Sequence, residues 1–159
     1  MLKHDVALKG DLRKQAGFTL IELLIVIAII AILAAIAIPQ FIKYKQGAYL
    51  DSLRSDVKNA VTAMESYQAT NGAYPTGVYN KGMTGPGSYD ETGTKVTTGT
   101  NGLFNISTGN TITITADTAT GCTTAYTVSG TSSNITSGPG SSSGNAVTYD
   151  SCTGQYSGF

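Results

Sequence analysis

The chain has 159 residues, with ten basic and ten acidic side chains and a formal net charge of zero. That balance excludes a strongly basic nucleic-acid binder acting through bulk charge, and the length accommodates one apolar helix and one small domain. In residues 1–17 Lys3, Lys9, Arg13 and Lys14 outweigh Asp5 and Asp11. From Phe18 to Ile38 the only ionisable side chain is Glu22. At about 1.5 Å per helical residue this segment spans roughly 30 Å, the thickness of a bilayer's hydrocarbon core. A carboxylate in lipid is costly and needs a partner or a function. Glu22 lies four residues after Phe18, one helical turn away on the same face. The basic stretch 1–17 favours a cytoplasmic N-terminus, although Lys43, Lys45 and Arg54 follow the span closely and weaken that bias.

The stretch Gly17-Phe18-Thr19-Leu20-Ile21-Glu22-Leu23, behind a basic leader and ahead of an apolar run ending at Pro39, resembles the prepilin signature of type IV pilin precursors. The resemblance implies that a prepilin peptidase and N-methyltransferase cuts between Gly17 and Phe18 and methylates the new Phe18 terminus. It also implies that Glu22 pairs with the Phe18 amine of a neighbouring subunit during assembly. A carboxylate and an ammonium are each expensive in lipid, and pairing relieves both, which favours one axial register. An ordinary signal peptide would instead be cut after its apolar run, at a small-residue site.

Ala28, Ala31 and Ala35 share a helix face on which neighbouring helices can approach closely, although alanine is also simply a good helix former. Many type IV pilins carry glycine where this chain has Ala31. Pro39 removes a backbone donor and disfavours helix at Ile38, so a helix break or bend is expected near residues 35–39. Beyond it, Leu50, Leu53, Val57, Ala60, Met64 and Tyr67 recur at spacings of three and four, an apolar stripe with Asp51, Arg54, Asp56, Lys58 and Glu65 on other faces. A helix packed on a sheet suits that stripe better than a coiled coil of barely three heptads. The helix should end near Asn71-Gly72, with Pro75 shortly after.

From Gly72 onward glycine, threonine and serine dominate. Residues 73–102 read as a long surface loop. Leu103–Ser107 and Thr111–Ala116, around Gly109-Asn110, read as a hairpin. Cys122–Ser129, with Tyr126 and Val128 on one face, and Val147–Asp150 read as further strands, separated by the Ser/Gly-rich residues 129–145. The expected architecture is α+β: the leader 1–17, a hydrophobic helix and its extension over 18–49, and a head over 50–159. In the resemblance that head is an antiparallel sheet wrapped on the long helix, the pilin fold.

Cys122 and Cys152 are the only cysteines and His4 the only histidine, which makes a zinc site improbable. A disulfide is expected, against the alternative of two reduced, buried thiols. It would bound a C-terminal region, as in many type IV pilins, and implies an extracytoplasmic compartment. Asn105 and Asn134 begin glycosylation-type triplets that arise readily by chance in a Thr-rich chain. Ser141, Ser142 and Ser143 are sugar acceptors or simply a solvated loop. Asp90-Glu91 lacks the ligand series of a calcium site. Lys81 and Lys95 do not make a basic patch, and nucleic acid as a partner stays open. With no catalytic constellation and no cofactor motif, the chain reads as a non-enzymatic structural subunit.

The resemblance implies a major type IV pilin, held in the inner membrane as a single-pass protein with its C-terminal domain outside the cytoplasm. It would then homopolymerise, with minor pilins, on an inner-membrane assembly platform driven by an assembly ATPase, into an extracellular pilus for adhesion, twitching motility or DNA uptake. The alternatives are a type II secretion pseudopilin, a minor pilin, or a solitary signal-anchored surface-binding domain.

Overall fold

A computed structural model describes residues 17–96, 102–117, 122, 124–144 and 146–159, and the chain divides into compact units at Gln40 and Phe41. In the first unit Gly17, Phe18 and Thr19 are non-helical and helix α1, Leu20–Asn71, begins. No described residue of this unit is buried. Its leucines, isoleucines and valine face outward, a contiguous apolar surface far beyond what a soluble monomer leaves uncovered. Among the described residues α1 is the one helix long and apolar enough to cross a membrane.

Of the break or bend expected near residues 35–39, no break occurs: α1 runs through Pro39 with helical backbone on both sides. Proline removes a single donor, the one that would meet the Ala35 carbonyl, and an interior proline costs about 3 kcal/mol. The bonds before and after remain, so one lost bond does not end a helix of 52 residues.

In the second unit the continuation of α1 buries Leu53, Val57, Ala60 and Met64, the centre of the anticipated stripe, while Leu50 and Tyr67 are half-buried. Val61 and Ala63 widen the buried face, and Asp56, expected off the apolar stripe, is only 4% exposed. The helix ends as anticipated. Gly72 takes φ +75°, the left-handed conformation glycine adopts freely, and its N–H donates to the Gln68 carbonyl at 2.8 Å.

The stretch expected to be a long loop holds a 3₁₀ turn at Thr76–Val78 and three short strands, β1 (Gly82–Thr84), β2 (Gly87–Tyr89) and β3 (Lys95–Val96). They are two or three residues long, too short to leave a periodic signal. Then come β4 (Phe104–Ile106), β5 (Asn110–Asp117), β6 (Ala125–Ser132), β7 (Val147–Asp150) and β8 (Gln155–Ser157). Five strands form one sheet in the order β1-β5-β6-β7-β8, and a second sheet has the order β3-β2-β4. All named strand pairs are antiparallel.

The anticipated β4–β5 hairpin is not formed. β4 pairs with β2, placing Phe104 opposite Tyr89, and the edge of β5 it would have used is taken by β1, with Met83 opposite Ile112. The turn itself is real, since Asn110 N–H donates to the Ser107 carbonyl, but it passes the chain from one sheet to the other. Tyr126 and Val128 of β6, Ile112 and Ile114 of β5, and Val147 of β7 are fully buried against the helix stripe. Gly130 permits the close approach: a Cβ there would lie 2.6 Å from Val57 Cγ2 and 3.1 Å from Leu53 Cδ1.

Candidate processing and assembly site

The site is built around the start of α1. Thr19 is its N-cap and Glu22 the third residue inside, the T-x-x-E arrangement of a capping box. Glu22 N–H donates to Thr19 Oγ1 at 3.3 Å, while Glu22 Oε2 accepts from Thr19 N–H at 2.8 Å and from Thr19 Oγ1 at 2.7 Å. The sole carboxylate of the apolar segment is therefore hydrogen-bonded within its own chain. Sequence reasoning passed over Thr19, although a threonine three residues before a glutamate, ahead of an apolar run, is the signal that finds such a cap.

Phe18 precedes the cap and is 93% exposed. The bond between Gly17 and Phe18 lies in non-helical backbone, open on the described side. A Cβ built on Gly17 would meet nothing within 4 Å. Packing within the described chain thus gives no reason for glycine here.

The other expected sites lie in the head. Cys122 and Cys152 are joined in a disulfide, their Cα atoms 5.9 Å apart. Cys152 occupies the turn between β7 and β8, where its N–H donates to Asp150 Oδ1 at 2.8 Å. Asp90 spends its carboxylate on a turn, accepting from Thr92 N–H, Thr92 Oγ1 and Thr94 N–H at 2.6–2.9 Å. Those bonds, the Thr92 hydroxyl foremost, hold its carboxyl below the ordinary range. No group of three or more metal-ligating side chains occurs among the described residues. Asn105 is exposed on β4, Asn134 Nδ2 donates to the Thr108 carbonyl at 3.2 Å, and Lys81 donates to the Thr92 carbonyl. Of the three consecutive serines Ser141 is buried, bridging to Ser132, while Ser142 and Ser143 are exposed.

A polar cluster lies on the core's rim. Glu65 Oε1 accepts from Tyr126 OH at 2.6 Å, and both Glu65 oxygens accept from Tyr74 OH at 3.1–3.2 Å. Burial, with the Glu65 charge beside it, pushes the Tyr74 phenol up to about 12 and raises Tyr126 further. Both tyrosines stay neutral donors at ordinary pH.

Comparison with known proteins bears on the N-terminal part. The family described as the prokaryotic N-terminal methylation motif matches residues 12–38, which include Gly17, Phe18 and Glu22. Type II secretion system core protein G of Pseudomonas aeruginosa is 39% identical over 64 residues, 40% of this chain and 45% of that protein. Type IV major pilin protein PilA of Myxococcus xanthus is 46% identical over 61 residues, 38% of this chain and 28% of its own length. Type IV wide pilus major component PilA4 of Thermus thermophilus is 48% identical over 63 residues, 40% and 48% of the two chains. The chain thus spans less than half the length of these relatives, and no solved structure matches it. Over residues 12–38 this chain carries the prokaryotic N-terminal methylation motif, and over part of its length it is homologous with type IV pilins and with type II secretion core protein G.

Proposed function

We propose that the chain is the precursor of a major type IV pilin. Residues 1–17 are a leader removed between Gly17 and Phe18, Phe18 is N-methylated, and Phe18–Ile38 first anchors the subunit in the inner membrane and then packs into the core of a homopolymeric filament. The observation carrying this reading is the methylation motif at residues 12–38 on a helix whose apolar side chains have no cover within the described chain. Such a surface needs lipid before assembly and neighbouring copies after it. Glu22 would pair with a neighbour's Phe18 amine and set the axial register, minor pilins and an ATP-driven assembly platform completing the machinery. The subunit has no catalytic role.

A second reading, a type II secretion pseudopilin, draws on the likeness to core protein G over 64 residues. Intact mass measured on a sheared extracellular filament fraction separates the two. A chain starting at Phe18, one methyl heavier and two hydrogens lighter, enriched in that fraction is the expected result. Processed chain confined to the cell envelope would favour the pseudopilin, and an unprocessed chain would overturn both. Glu22→Ala should still be cleaved and membrane-held yet fail to enter filaments; wild-type filament yield would refute the pairing.

A further inference from the structure

Just past the apolar segment, α1 carries Phe41, Ile42, Lys43, Tyr44 and Lys45, all exposed, with Phe41 at 66% and Tyr44 at 78%. The fully buried core begins at Leu53, with Tyr49 and Leu50 packed partly against it, and Phe41, Ile42 and Tyr44 are not among the core residues. No acid occurs between Glu22 and Asp51, and Asp51 is already paired with Arg54 at 3.1 Å. Both lysines therefore stand without a carboxylate partner among the described residues. Beside them lies a concavity of about 340 Å³ lined by Phe41, Ile42, Lys45 and Tyr49 of α1 and by Asn134 and Thr136, with the Lys45 ammonium 5.7 Å from the centre of the Tyr49 ring. Thr136 is held there by Gln46, whose Nε2 donates to its Oγ1 at 2.7 Å.

We propose that residues 41–49, with this concavity, form a docking face for anionic phospholipid headgroups, holding the subunit's head at the membrane surface before assembly. The inference rests on the reading of Phe18–Ile38 as a membrane span. Residues that begin three positions after a span fall in the headgroup layer, where aromatic rings and lysines are the favoured side chains. The face pairs an apolar floor, suited to the upper acyl chain and glycerol, with ammonium and amide donors suited to a phosphate. Charge selects lipid over a second copy: the same face on two subunits would bring four lysines together, whereas an anionic surface attracts each of them. Two juxtamembrane lysines correspond to roughly a thirtyfold preference for an anionic over a neutral surface.

The chain has no tryptophan, so Tyr44→Trp in the full precursor gives a single reporter. Reconstituted into phosphatidylcholine vesicles with and without phosphatidylglycerol, the reporter should shift to the blue and be quenched by lipids brominated near the headgroup. The effect should be stronger in the anionic vesicles and reversed by salt. Lys43→Gln with Lys45→Gln should abolish the difference between the two lipids. Quenching equal in both lipids and indifferent to the lysines overturns the proposal. So does a blue shift that grows with protein density rather than with anionic lipid, which would place a second copy on this face. Flotation of the chain with vesicles under alkaline extraction checks the span separately. A chain that floats with an unquenched reporter refutes the docking face alone, and one that does not float refutes the span beneath it.

Discussion

Asp56→Ala should be among the most damaging single substitutions in the head. Asp56 is 4% exposed, and its carboxylate accepts from Ser107 N–H at 2.8 Å, Ser107 Oγ at 3.0 Å and Asn110 Nδ2 at 2.8 Å. Ser107 follows β4 of the three-stranded sheet and Asn110 opens β5 of the five-stranded one, so one side chain ties the helix to the crossing between sheets. Hydrogen bonds to a charged group are worth roughly 1.5–3 kcal/mol each and are not additive within one network. Removing the acceptor strands a backbone N–H and a buried amide, and the expected loss is about 3–5 kcal/mol. Asp56→Asn keeps one oxygen and should lose about half as much. Urea unfolding of the full chain in mild detergent, followed by tyrosine circular dichroism, reads the change. Asp51→Ala, which breaks one exposed ion pair with Arg54, is the control and should stay within about 1 kcal/mol of the parent. An Asp56→Ala chain no less stable than this control would refute the role given to the carboxylate.

Gly130→Ala places a methyl 2.6 Å from Val57 Cγ2 and should cost about 1–3 kcal/mol by overpacking. Val57→Ala in the same chain should recover part of that loss, and strictly additive losses in the unfolding assay would argue against a clash. Replacing Cys122 and Cys152 together by serine opens a loop of about 30 residues and should cost roughly 3–4 kcal/mol; an unchanged unfolding midpoint, with reductant or without, would count against it. Alkali should unfold the head through its tyrosines. The fold raises Tyr74 to about 12 and Tyr126 higher, by burial first and Glu65 second. The unfolded chain releases these protons near pH 10, so their contribution is complete below that value and falls away as pH rises towards 12. Phenolate absorbance should show these two of the nine tyrosines ionising only as the dichroism is lost; all nine titrating near pH 10 in a folded chain would refute it.

The N-terminal half was largely legible because its signals are long. An uncharged stretch with one acid, and a stripe repeating at three and four residues over several turns, leave few other conformations open. Leu53, Val57, Ala60 and Met64 are buried for that reason. Asp56 was misplaced because a one-sequence pattern assigns charge to solvent and cannot see that Ser107 and Asn110, more than fifty positions away, supply its donors. The β-strands were found where alternation was strong, in β5, β6 and β7. They were missed where two or three residues are held by partners far along the chain, as in β1 against β5. The false hairpin has the same origin: a turn at Gly109-Asn110 fixes where the chain reverses, but which strand neighbours which is settled by competition for edges. At Pro39 one lost donor does not end the helix, because the bonds on either side are kept.

The capping box alters the energetics of the proposed assembly contact. Pairing with a neighbour's amine is easiest to rationalise for a bare carboxylate in lipid, desperate for any partner. Glu22 is not bare, because Oε2 already takes both Thr19 bonds. Relief of an unsatisfied charge is therefore smaller than a reading of the isolated side chain implies. Oε1, however, accepts no hydrogen bond from a described residue, and a carboxylate has about four acceptor positions. An incoming ammonium can be added to the arrangement without dismantling it. Both members of the box lie C-terminal to the Gly17–Phe18 bond, so the proposed cleavage there would leave the box in place and create only the amine. What Thr19 contributes is then orientation: it fixes the Glu22 rotamer, so little side-chain freedom remains to be lost when a neighbour docks. Register would follow from where a held carboxylate points, with charge relief deciding only that the partner is a cation.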